Sequence, residues 1–271
     1  MSKIIQGEGA ENILANFNIC HDFRYGKIIY NQMDLHVGKS LKLYGEYSQG
    51  EADLFDVLIA PGDWVIEGGA NIGAHTVHLA QLAGESGAVI AFEPQRLIFQ
   101  LLAGNIAINS LSNVQCFQKG LSDAEGKIRV PVLKPTKANN FGGLSIEEDF
   151  PVGEIVEVIT LDSLNFARCD FIKLDVEGME LKVLKGAANI IEKFHPIIYA
   201  EANPGARRIP LFNWLRERGY KIYPHTPPLY NPENYFHNSE NVFEDVYSFN
   251  VLCVPPQRDW LEVLDVEEVY E

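Results

Sequence analysis

A short apolar run, Trp64–Ile66, leads straight into Glu67-Gly68-Gly69-Ala70-Asn71-Ile72-Gly73, and a helical pattern, HTVHLAQLA, resumes over His75–Ala83. Strand, glycine-rich turn and helix in this order constrain the chain more than any other feature. Glycines at such a turn permit positive φ and let a ligand approach the backbone. The helix start offers unpaired N–H groups to an anion. Several nucleotide folds share that logic, and spacing separates them. A dinucleotide fingerprint needs G-x-G-x-x-G, but a register pairing Gly68 with Gly73 puts Ala70 in the middle position. No Gly-Lys-Ser/Thr follows, so this is no P-loop. The register that fits is E-x-G-x-N-x-G, with an acid ending the strand.

The surrounding pattern repeats the unit. Glu51–Ile59 has helical spacing and stops at Pro61-Gly62. Ala88–Phe92 and Val114–Phe117 read as further buried strands, with a helix over Leu97–Ile108 between them. Continuous apolar strands alternating with helices predict a parallel sheet covered on both faces. Downstream, Phe171–Val176 and Pro196–Ala200 read as strands around one helix, Glu180–Lys193. A helix over Leu211–Arg218 precedes a strand at Tyr220–Tyr223. Tyr247–Val254 is a last strand reached through a loop without a helix, which predicts antiparallel entry. Lys27–Tyr30 and Met33–Val37 read as a small hairpin turning at Asn31-Gln32. We divide the chain into an N-terminal β-rich extension (1–45), a main domain (46–256) and an acidic tail (257–271). The main domain carries insertions at 124–160 and 225–245. Lys127–Leu133 and Glu154–Thr160 are candidate strands of the first, flanking the polar NNFGGLS. The tail segment Asp259–Glu271 holds six acidic residues and reads as a solvated helix.

The strand ends suggest a ligand. An acid at Glu67 suits an ammonium, and the helix start suits the carboxylate of the same amino-acid moiety. Glu93, ending the second strand in AFEP, can accept from two ribose hydroxyls. Leu121-Ser122-Asp123 follows the third strand, where a base edge would lie. Amino acid, ribose and base across adjacent strand ends describe S-adenosyl-L-methionine.

These residues also carry a resemblance. EGGANIGAHT, AFEP, GLSD, FIKLDVEGMELKVLKGA and PIIYAE resemble the FkbM family of class I methyltransferases, over about residues 40–204. The coincidence of GANIG with KLDVEG and KGA is the most specific part. The resemblance implies a doubly wound, Rossmann-like, seven-stranded, mostly parallel sheet with its last strand antiparallel, and methyl transfer to oxygen. It implies cofactor roles for Glu67, Gly69, Asn71, Gly73 and Glu93, with Ser122 and Asp123 at the adenine. GEYSQGE resembles the family's entry segment and places Tyr47 and Glu51 near the methionine end. The family more usually has Asp where this chain has Glu67; a longer carboxylate still reaches an ammonium. The first forty residues and the segment after Gly205 match nothing we can carry over, and we expect them to choose the acceptor.

Methyl transfer from a sulfonium is an in-line displacement, so most of the work is alignment. A hydroxyl nucleophile gains from a base. Asp175, Glu177 and Glu201 lie at strand ends, where a doubly wound sheet places its ligand crevice, and we take them as catalytic candidates. Asp175 also falls beside the expected sulfonium. Glu177 has an alternative role at the following helix start, and for Glu180 that role dominates. Thr76 either bonds the ligand carboxylate or is simply a first-turn residue. His75 and His78 share a helix face; they are either a helix-start polar residue and a semi-buried histidine, or a base facing the pocket or a metal pair whose third ligand spacing does not identify. A divalent cation could use Asp175 with Glu177 or Glu201, but paired carboxylates near strand ends are common without metal, and we predict no metal site. The loop His225–Asp245 is long enough for a lid, and its aromatics could stack on a flat acceptor. Arg207-Arg208 is either a surface pair or a partner for an anionic acceptor.

Composition narrows the function classes. Hydrophobic residues make up 46% of the chain, enough for a substantial core, and Lys plus Arg (22) against Asp plus Glu (37) gives a net charge of −15. Such a chain is poorly suited to tracking phosphate backbones, so no nucleic-acid partner is expected. The four cysteines form no CxxC pair and fit a reducing cytoplasm. No apolar run is long enough to span a membrane, and no signal-peptide stretch opens the chain. The expectation is an O-methyltransferase acting on a small molecule or glycan. An NAD-linked oxidoreductase and a cofactor-binding module without catalysis are the alternatives. Nothing in the sequence speaks to oligomeric state.

Overall fold

The computed structural model describes residues 16–144 and 150–258. The chain opens with a hairpin, β1 (Asn18–Phe23) and β2 (Gly26–Asn31), followed by helices α1 (Val37–Tyr44) and α2 (Gln49–Leu58). Next come β3 (Trp64–Gly68), α3 (Ala74–Ala83), β4 (Ala88–Phe92), α4 (Arg96–Ile108) and β5 (Val114–Phe117). β6 (Gly120–Leu121), just ahead of the insertion, joins the insertion's β7 (Gly126–Val130) and β8 (Glu154–Ile159) in a separate three-stranded sheet. The second half contains β9 (Phe171–Leu174), α5 (Glu180–Lys185), α6 (Ala188–Phe194), β10 (Ile197–Glu201), α7 (Arg208–Arg216), β11 (Lys221–His225) and β12 (Asn250–Val254).

The main sheet has seven strands in the order β11-β12-β10-β9-β3-β4-β5. β3 pairs in parallel with both β4 and β9, and β12 pairs antiparallel with β10 and β11. This is the doubly wound, mostly parallel sheet with one antiparallel strand that the pattern predicts. Side chains alternate between its faces, as pleating requires. Ile66, Ile172 and Ile198 join one core cluster with residues of α5, α6 and α7. Their neighbours Val65, Phe171, Ile197 and Tyr199 join another with Phe55 of α2 and Leu79 of α3. Each such buried side chain contributes about 1.5–3 kcal/mol, which is why the strands read as mainly apolar runs.

Two expectations are corrected. The hairpin turns at Arg24-Tyr25, not at Asn31-Gln32. Asn31 is a strand end that accepts from Met33 N and donates to Pro135 O. The supposed second strand leads into α1, because Val37, Leu41 and Tyr44 fall on one helical face and are all buried. The single helix over Glu180–Lys193 is two. Gly186 lies so close to the Ser122 carbonyl that no side chain fits there, and Asp162 caps α6 by accepting from Asn189 N and Ile190 N. The helix expected over Asp259–Glu271 lies outside the described residues.

The sheet order reverses at β3. The chain winds outward to β4 and β5, then returns to place β9 on the other side of β3. A crevice opens beyond the carboxyl ends of strands at such a reversal, here between the ends of β3 and β9.

Candidate functional site

At that reversal Gly69 has φ +75, and a Cβ on it would overlap the carbonyl oxygen of Asp175. The glycine is required twice, for its conformation and for the close approach of the β9 end. Gly69 N and Ala70 N both donate to Phe92 O, at 3.0 Å each, so the turn is pinned to the end of β4 as well. Asn71 follows at φ 51 and donates its N–H to Glu93 Oε2 (3.1 Å), while Gln95 N donates to Glu93 Oε1 (2.8 Å). Both Glu93 oxygens are thereby oriented, yet each keeps accepting capacity for a ligand hydroxyl. Burial pushes the Glu93 carboxyl up to about 7, against those two N–H donors.

A cavity of about 170 Å³ opens beside this turn. Tyr47, Glu51, Gly69, Asn71, Glu93, Asp175, Glu177 and Glu201 all line it. A smaller cavity of about 40 Å³ continues from it past Gly69, Glu93 and Glu177 to Lys119, Gly120 and Leu121. On the other side, Glu177, Glu201 and Asn203 are shared with a groove of about 490 Å³ that runs toward Arg207 and Arg208. The segment Asn140–Gly143 covers the first cavity. Gln95 Nε2 donates to Phe141 O (2.7 Å), and Gly142 lies against Asn71. This stretch of the insertion therefore lies over the site through Asn140, Gly142 and Gly143.

The carboxylates repel one another. Glu177 titrates near about 7 and Glu201 near about 9, raised by burial first and by Asp175 second. Asp175 opens onto the cavity with 41% of its side chain exposed. Its pKa is raised by desolvation in this crowded site and by Glu51, against the pull of Lys173. Glu177 holds φ 54, a left-handed conformation that a non-glycine residue adopts at a cost of about 1–3 kcal/mol and that clusters at functional sites.

Several predicted residues lie elsewhere. Glu67 is 1% exposed and faces away from the cavity, accepting from Thr76 Oγ1 at 2.6 Å. Thr76 is occupied by that bond. Gly73 caps α3 in a left-handed conformation and packs on Leu102. Ser122 donates to Asp123 Oδ1 (3.1 Å); the wall toward the expected base is built from Lys119, Gly120 and Leu121 instead. Glu180 accepts from Val176 N and Gly178 N, shaping the turn that carries Glu177. His75 is buried against Tyr47 and Phe55, and burial drops its pKa to about 3. His78 stacks on Tyr25 and pairs with Asp56 at 2.8 Å. Neither histidine lines these cavities, and among the described residues no cluster of three such side chains is arranged to hold a metal ion.

Lys173 was not anticipated. It is 3% exposed beneath the cavity floor, its Nζ 3.8 Å from Glu67 Oε1 and 3.9 Å from Asp175 Oδ2. Burial works against its charge, but Asp175 and Glu67 outweigh that and hold its pKa raised. The signal was visible: one lysine inside the otherwise apolar strand FIKL.

The sequence matches the model of the Methyltransferase FkbM domain over residues 67–222. The match runs past Gly205, further than the motifs alone suggested, and begins after Tyr47 and Glu51. The chain is 24% identical over 203 residues to Methyltransferase sdnD of Sordaria araneosa, covering 62% of this chain and 78% of that one. It is 29% identical over 153 residues to the hexuronic acid methyltransferase AglP of Haloferax volcanii, covering 55% and 62%. A crystal structure of Methyltransferase FkbM from Methylobacillus flagellatus KT superposes with a TM-score of 0.47 at 19% identity, over 74% of this chain and 50% of that one. The chain thus spans about half the length of that solved protein.

Proposed function

From the premise that this chain belongs to the FkbM methyltransferase family, with S-adenosyl-L-methionine as its cofactor, we propose that it methylates a hydroxyl of a small molecule or glycan. One observation carries this reading. Asp175, Glu177 and Glu201 converge on the cavity that also exposes Gly69, Asn71 and Glu93. A set of proton-accepting groups therefore adjoins the cradle suited to the cofactor.

The residues present fit that cofactor. The turn at Gly69 and Asn71 leaves the backbone open to close approach, and Glu93 offers two oriented oxygens for the ribose. Tyr47 and Glu51 would stand toward the methionine end. Lys119–Leu121 would border the base, and Ser122 and Asp123 would act there through the loop they shape. Glu67, Thr76 and Gly73 support the turn from beneath in this reading. When bound, the cofactor supplies a methyl group on a sulfonium whose thioether leaves neutral.

The protein's own task is the acceptor proton. A carboxyl group raised toward 7 or 9 is a stronger base once ionised than an ordinary glutamate. Glu201 and Glu177 are the bases we assign, and Asp175, steadied by Lys173, holds negative charge beside the reacting centre. The three titrate as a cluster, so kcat/KM should rise with pH across about 7 to 9, with apparent values that belong to the set. The AglP relative, a hexuronic acid methyltransferase by name, supports a sugar among the acceptors. No helix among the described residues is long and apolar enough to cross a membrane, and all four cysteines are free thiols; a cytoplasmic site of action is part of the same reading.

The test is turnover of the methyl donor over a panel of hydroxyl acceptors, with the methylated atom identified by mass spectrometry and NMR. Glu201→Gln and Asp175→Asn should lower kcat by about 10²-fold or more while S-adenosylhomocysteine still binds. Methyl transfer to nitrogen or carbon, or full activity in both variants, would overturn the assignment.

A further inference from the structure

We propose that Tyr247 and Phe249 form the platform of the acceptor subsite, and that the ring they hold is uncharged. This rests on the methyltransferase reading of the same cavity. The aromatics of the 225–245 loop are otherwise engaged: Tyr230 and Phe243 pack on Tyr44, and Tyr235 and Phe236 lie over Gly45. Tyr235 and Phe236 are comparably exposed, at 42% and 41%, but do not line the cavity; Tyr247 and Phe249, just beyond the loop, are 46% and 39% exposed and both line the cavity that holds Asp175, Glu177 and Glu201.

Their backbone is fixed. Leu229 N donates to Val246 O (2.9 Å), Ser248 N to Pro227 O (3.0 Å) and Ala202 N to Phe249 O (2.7 Å). Asn250, next in the chain, stands opposite Glu201 in the sheet register. Two aromatic rings are therefore presented at the mouth by an ordered segment, so a ligand need not pay to order it. Glu177, Glu201 and Asn203 line the same cavity. Aromatic rings beside hydrogen-bonding groups fit a ring with apolar C–H faces and a hydroxylated edge.

Charge sets the second half of the proposal. Glu51, Asp175, Glu177 and Glu201 line this cavity. Lys173, the cation beneath it among the described residues, already engages Glu67 and Asp175. Arg207 and Arg208 line the neighbouring groove rather than this cavity. In the ionised state that turnover requires, reached as pH rises across about 7 to 9, a carboxylate or phosphate on the bound ring would meet like charge with no Lys or Arg lining the cavity among the described residues, which selects against it.

The experiment uses the full chain loaded with S-adenosylhomocysteine, and reads binding of methyl hexopyranosides, methyl hexopyranosiduronates and methyl aminohexosides by saturation-transfer NMR. Turnover with the methyl donor is measured on the same compounds. Neutral hexosides should bind and react with kcat/KM at least about tenfold above the uronates. Tyr247→Ala and Phe249→Ala should each raise the acceptor KM by about fivefold or more, and Tyr247→Phe should restore it. Affinity for S-adenosylhomocysteine should stay within about twofold throughout, which a general loss of folding would not allow. Preference for uronates or aminosugars, no binding of any sugar, or alanine variants that weaken S-adenosylhomocysteine and acceptor alike would each overturn the platform. Failure of S-adenosylhomocysteine to bind the folded wild-type protein would instead sink the reading on which it rests.

Discussion

Glu93 and Asp175 were legible from sequence because each ends a buried strand, and strand ends of a doubly wound sheet border its crevice. Glu67 also ends a strand, yet it turns back to Thr76 and Lys173. Strand position locates a residue at the crevice but leaves the direction of its side chain open. The role of Lys173 is not legible from spacing, because its reason lies in space. It meets Glu67 from the neighbouring strand and Asp175 two positions along its own. Replacing it with methionine, Lys173→Met, leaves both carboxylates without their cation. Breaking a buried pair from one side costs about 3–5 kcal/mol, and we expect the urea midpoint to fall accordingly. An unchanged midpoint would show that the two acids do not depend on it. Gly69→Ala should be at least as damaging, by about 3 kcal/mol or more, because the added carbon meets the Asp175 backbone. Its readout is lost S-adenosylhomocysteine binding together with a lower melting temperature.

Elements with a single periodicity were readable, and those set by distant partners were not. β4 and β5 fall where their apolar runs fall. The split between α5 and α6 depends on Asp162 and on the Ser122 backbone, which local periodicity does not report. The long loop after β11 was readable as a loop, but not its anchor. That anchor is Glu46, 3% exposed, which accepts from Arg24 Nε (2.7 Å), Asn231 Nδ2 (2.9 Å) and Tyr235 N (2.8 Å). One carboxylate thus ties the first hairpin and the loop to the end of α1. Glu46→Ala leaves these donors unpaired, and we expect a loss of about 3 kcal/mol, or roughly 6–12 °C in melting temperature. The acceptor KM should rise while S-adenosylhomocysteine affinity holds, since the loop borders the acceptor side. Equal losses for both ligands would mean that the loop supports the whole cavity.

At the scale of the whole molecule, acidity is concentrated where the chemistry is placed. Glu93 and Glu177 titrate near about 7 and Glu201 near about 9 in the folded chain, against about 4.3 for an unfolded glutamate. Between those values the folded state holds more protons than the unfolded state, so stability falls as pH rises. His75, lowered to about 3, acts in the opposite sense below its ordinary value near 6.5. The decline should therefore be cleanest from about pH 6.5 to 9, and Glu201→Gln should flatten its upper part. A melting temperature that is level or rises over this range would contradict the clustering of the carboxyls.

The central claim is that the cradle of Gly69, Asn71 and Glu93 binds the methyl donor's nucleoside. Calorimetric titration with S-adenosylhomocysteine, on wild-type protein and on Glu93→Ala, tests it most directly, with NAD as the control ligand. The account predicts saturable binding to the wild type, weakened about tenfold to a hundredfold in the variant by loss of two charge-assisted hydrogen bonds, and no competition from NAD. Folded wild-type protein that ignores S-adenosylhomocysteine, or a Glu93→Ala variant that binds it equally well, would contradict it.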